Sequence, residues 1–87
     1  MALVESQEQY WKALLGFLKT EVTLGLTFAQ QAEHYRRTGR QEKFEECKHS
    51  TQTSLKSIDR FKEKLPIPAK QEIEDLAYDL RKIASTL

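Results

Sequence analysis

The chain has 87 residues, 39% of them hydrophobic and 31% charged, with a formal net charge of +1. That length makes one domain, the composition excludes a disordered chain, and the charge gives no bulk drive toward nucleic acid or anionic membrane. The single cysteine, Cys47, excludes an internal disulfide, and the longest apolar run, ALLGFL at residues 13–18, is far short of the ~20 residues that cross a bilayer.

The first element is a long helix over residues 6–37. Trp11, Leu15, Leu18, Val22, Gly25, Ala29 and Ala32 recur at alternating steps of four and three. A second row, Leu14, Phe17, Leu24, Phe28 and Tyr35, lies beside it, and together they form a wide apolar face of helical period. Ser6 and Gln9 have the spacing of a capping box. Thr20, Val22, Thr23 and Thr27 are weak helix formers, so the middle of this helix depends on tertiary packing. Gly39 suits the left-handed position just past a helix end.

A second helix is expected over residues 41–65, with a narrower stripe: Phe44, Cys47, Thr51, Leu55, Ile58, Phe61 and Leu65. The PIP sequence at 66–68 ends it, and Pro68 fits the first turn of a third helix over 68–86. That helix should bury Ala69, Ile73, Leu76, Ala77, Leu80, Ile83, Ala84 and Leu87. Glu72, Glu74 and Asp75 near its start and Arg81 and Lys82 near its end complement its dipole.

Three amphipathic helices with short connections predict an all-α, three-helix antiparallel bundle, a single domain over residues 1–87. With the first turn centred near Gly39, facing residues of the first two helices have numbers adding to about 79. Gly25 then meets Ser54, Leu18 meets Phe61, and Cys47 falls opposite Ala32. This register leaves residues 6–13 overhanging the second helix by ~12 Å. Tyr10 and Trp11 lie there. Either the connection Pro66, Ile67 and Pro68 covers the indole, the favoured reading, or a second copy of the overhang does, in a homodimer.

The stretch AEHYRRTGRQEKFEEC resembles a single tetratricopeptide-type helical hairpin. Ala32, Tyr35 and Gly39 match its small, aromatic and glycine positions, and an acidic segment then opens the second helix. The likeness covers roughly residues 28–55 and departs at Phe44, Lys48 and Thr51. One hairpin plus a third helix is similar to the microtubule-interacting-and-transport domain, which implies a groove for helical peptides. EVTLGLTF, residues 21–28, resembles segments of short bacterial helical proteins without an assigned activity.

The chemistry-bearing residues are few. His34, Cys47 and His49 do not have the paired spacing of structural zinc, and Glu46 with His49 is one E-x-x-H where a di-iron bundle needs two. Cys47 on the apolar seam is read as a buried thiol rather than a nucleophile. No phosphate-binding glycine loop is present. The expectation is a protein that is not an enzyme and binds no metal or cofactor.

Charge is segregated instead. Residues 34–64 hold nine Lys/Arg against five Asp/Glu, so the hairpin tip, with Arg36, Arg37, Arg40 and Lys43, is the positive pole. The leading functional expectation is a protein–protein interaction or self-associating module with an unidentified protein partner, using Tyr10 and Trp11 among its surface residues. The alternative is a nucleic-acid-associated regulatory protein using the basic tip. A sequence pI near 7.9 argues against nucleic acid. The plain reading of the tip is a solvated turn. No membrane segment and no signal peptide are read from the sequence, so the expected location is the cytoplasm.

Overall fold

Helix periodicity is realised in three helices. The computed structural model describes residues 2–87, with side chains described from residue 7. Helix α1 spans Ala2–Arg37, α2 spans Gln41–Phe61, and α3 spans Ile67–Ala84, with one 3-10 turn at Lys62–Lys64 before α3. No strand occurs among the described residues. The chain is an all-α three-helix bundle.

The α1–α2 turn follows from one glycine. Gly39 has φ +74°. Its N–H donates to the Arg36 carbonyl at 3.3 Å, and the Arg40 N–H donates to the Tyr35 carbonyl at 2.9 Å. This pair of bonds is the Schellman arrangement, and it satisfies carbonyls that the helix end would leave bare.

The remaining boundaries move from those expected. α1 begins at Ala2 rather than residue 6, so Ser6 is not its first residue. α2 ends at Phe61 rather than 65, because Leu65 precedes a proline. The proline ring disfavours helical geometry in the residue before it, and Leu65 is extended at φ −89°, ψ 149°. Pro66 precedes α3, and Pro68 sits in its first turn as expected. α3 runs from Ile67 to Ala84 rather than 68 to 86.

Contacts set the directions. Phe17 meets Phe61, Gly25 meets Ser54, and Gln31 meets Cys47, so α2 runs antiparallel to α1 in the expected register. Lys19 pairs with Glu72, Gly25 meets Leu80, and Arg36 reaches Thr86, so α3 runs alongside α1 in the same direction. α1 is the long strut against which both others lie.

The core follows the stripes. Leu18, Val22, Ala29, Ile58, Leu65, Ala69, Ile73, Ala77 and Leu80 form one buried cluster. Thr51 and Ser54 are buried between them, and the Thr51 hydroxyl donates to the Cys47 carbonyl at 2.8 Å. Bonding back to its own helix removes the cost of burying that hydroxyl. Not every expectation of burial holds. Leu76 lies exposed on α3, and Cys47, Ile83, Ala84 and Leu87 are only half-buried. Apolar spacing sets the direction of a stripe but not its width, and Leu76 falls beyond the arc that α1 and α2 cover.

Candidate interaction surface

Two helices can cover only part of α1. Its first row, from Leu18 to Ala32, is buried under them. Its second row is divided. Phe28 and Tyr35 are half-buried, while Phe17 is 47% and Leu24 43% exposed. Tyr10, on the same side and seven residues before Phe17, is 56% exposed. Tyr10, Phe17 and Leu24 therefore form an exposed apolar row at seven-residue steps along the outer side of the α1–α2 seam.

The surroundings of the row are nearly uncharged. Between Ala13 and Gln31 the only charged residues are Lys19 and Glu21. Lys19 turns toward α3, where its ammonium lies 3.0 Å from Glu72. The exposed threonines of this stretch of α1 bond back to their own helix. Thr20 donates to the Gly16 carbonyl at 3.2 Å, Thr23 to Lys19 at 3.2 Å, and Thr27 to Thr23 at 3.1 Å. With their hydroxyls engaged, these side chains present their methyl groups. On α2, Phe61 packs edge-on against Phe17 at 6.3 Å, and the Arg60 and Lys64 cations each stand 5.4 Å from its ring centre.

Trp11 is half-buried and packs against the core cluster, with Lys12 5.8 Å from its ring centre. The expected cover by the PIP connection does not form at its centre, because Ile67 is 83% exposed. Extended Leu65 turns into the core, and the chain reversal leaves the next residues outside. Residues 7–10, the last described turn before Trp11, are all exposed.

The basic tip is a set of separate contacts rather than one open patch. Arg36 Nη1 donates to the Thr86 carbonyl at 2.8 Å, tying the tip to the end of α3. The Arg40 guanidinium lies 5.7 Å from the Tyr35 ring centre, and Lys43 Nζ lies 3.9 Å from Glu46. Arg37 is exposed. Arg36, Arg40 and Lys43 are exposed as well, and the Arg36 contact follows from the attraction of helix-end carbonyls for a cation that can reach them.

A second polar cluster, absent from the sequence reading, clamps α2 to α3. Arg81 Nη2 lies 2.5 Å from Asp59 Oδ1 and 3.2 Å from Glu74 Oε1. Lys62 Nζ lies 2.5 Å from Glu74 Oε1 and 3.4 Å from Asp59 Oδ1. The Arg81 hydrogen bond holds Asp59 below the usual carboxylate range, and that of Lys62 does the same for Glu74, both against a desolvation that opposes it. Their partners shift upward for the same reason, Lys62 chiefly through Glu74 and Arg81 chiefly through Asp59. The i, i+3 spacing of Asp59 with Lys62 and the i, i+7 spacing of Glu74 with Arg81 were the available signals.

The soft ligands do not converge. The Cys47 thiol makes a long contact of 3.7 Å to Gln31 Oε1, His34 lies edge-on to Tyr35, and His49 and Glu46 are exposed. Among the described residues no three His, Cys, Asp or Glu side chains gather as metal ligands would. No described helix is long and apolar enough to cross a membrane. Comparison with family models, with curated proteins and with solved structures returned no match for this chain.

Proposed function

We propose that this chain is a non-catalytic interaction module of the cytoplasm that docks a protein partner along the exposed row of α1. The carrying observation is the row itself: Tyr10, Phe17 and Leu24 stand exposed at 56%, 47% and 43% on a face with almost no charge. Charge depletion with aromatic enrichment is the composition of interface centres. An ordinary solvated helix face in a chain that is 31% charged carries lysine and glutamate instead.

The likeness to a tetratricopeptide-type hairpin or a microtubule-interacting-and-transport domain is carried as part of this proposal. Its support is the α1–Gly39–α2 hairpin with Ala32 buried at the small-residue position. A nucleic-acid role through the tip has less support, because Arg36, Arg40 and Lys43 each have an intramolecular contact.

The test is capture from the native cell with the full chain. Wild type should retain a protein, a differently tagged copy of itself included, that Leu24→Glu and Tyr10→Glu lose and Arg37→Gln keeps. Retention by both row variants with loss in the tip variant would overturn the reading.

A further inference from the structure

We propose that the α1 row receives a second copy of the same chain, packed antiparallel about a twofold axis at Phe17. The proposal rests on the reading of the row as a docking surface and names its occupant.

The spacing is symmetric about one residue. Tyr10 lies seven residues before Phe17 and Leu24 seven after, and all three are exposed. A twofold axis at Phe17 sets Phe17 against its own copy and Tyr10 of each chain against Leu24 of the other. Such an interface needs one patch that complements itself, and this patch does.

The molecule also carries both halves of what it lacks. α1 is 36 residues long, about 54 Å at 1.5 Å per residue, and α2 turns away at Phe61 opposite Phe17. The exposed turn at residues 7–10 therefore has no helix on that side. Farther along, Leu24 and Thr27 are exposed and uncharged. The twofold arrangement lays residues 7–10 of each chain on residues 24–27 of the other, so one contact covers both features twice. The same rotation sets Glu21 level with Ala13 of the other copy. That is beside the end of α2 where Arg60 and Lys64 flank Phe61, so the charges bordering the row are of opposite sign.

The experiment uses the purified full chain. Light scattering across a concentration series should give twice the 10.2 kDa chain mass at high concentration, falling to the single mass on dilution. Tyr10→Glu, which alters a residue beyond the end of α2, should weaken association at least tenfold without loss of helicity. In a Cys47→Ser background, mild oxidation should link Phe17→Cys to its own copy. Tyr10→Cys alone should stay unlinked, and Tyr10→Cys with Leu24→Cys should link. Self-linking of Tyr10→Cys without that of Phe17→Cys would overturn the antiparallel register. A single-chain mass at every concentration overturns the proposal outright. If capture of another protein still depends on Leu24, only the choice of occupant has failed; if that capture is also absent, the docking reading falls with it.

Discussion

The Cδ2 methyl of Leu80 on α3 lies 2.6 Å from where a side chain at Gly25 on α1 would begin, and Ser54 Cβ on α2 lies 3.2 Å from the same point. All three helices meet at a position kept empty by one missing methyl. Leu80 is fully buried, so its side chain has little room to swing aside.

Gly25→Leu should therefore destabilise the bundle by about 1–3 kcal/mol through overpacking, despite leucine's better helix propensity. Urea unfolding followed by circular dichroism measures it. A variant as stable as wild type would mean the helices separate easily at this point.

Glu74 accepts from both Lys62 and Arg81, so its removal leaves the two cations to share Asp59 alone. Glu74→Gln should cost on the order of 1–2 kcal/mol at neutral pH. The sign with pH follows from the shifts. Asp59 and Glu74 have folded pKa values lowered relative to the unfolded chain, so their contribution is present above about pH 4 and fades as pH falls through the lower folded values. Lys62 is shifted upward, so its share is present below about pH 10 and is lost as pH rises through its raised folded value. Asp59 is half exposed, and solvent screening reduces its part. Thermal melts from pH 2 to 7 should show a shallower acid dependence for Glu74→Gln than for wild type; parallel curves would remove Glu74 from the account.

The number of helices and the first turn were legible because their causes are local: apolar periodicity, Gly39 and the PIP sequence. The α1–α2 register was legible because Gly39 anchors it, and it placed Gly25 against Ser54 correctly. The azimuth of α3 was not legible. It decides that Asp59, Lys62, Glu74 and Arg81 converge and that Leu76 is left outside, and the charge spacings within each helix do not fix it. The sequence reading grouped Phe17 and Leu24 in one wide apolar face, but their exposure depends on how much of that face two neighbours can cover.

Arg36 should act as a fastener for the end of α3. Loss of its bond to the Thr86 carbonyl in Arg36→Gln should speed amide exchange at Ser85, Thr86 and Leu87 severalfold, with a global cost of about 1 kcal/mol or less. The neighbouring Arg37→Gln should leave those amides unchanged. Equal effects from the two substitutions would point to bulk charge rather than to this bond.

The central claim is that the row on α1 serves a partner and not the fold. The most direct measurement is the urea midpoint of the doubly substituted Tyr10→Lys, Leu24→Lys chain, compared with wild type at a concentration where both are single chains. Exposed sites away from the core change stability little, so the predicted loss is about 1 kcal/mol or less with helicity intact. A loss of about 3 kcal/mol or more, the range of large core truncations, would contradict the claim and assign the row to the core.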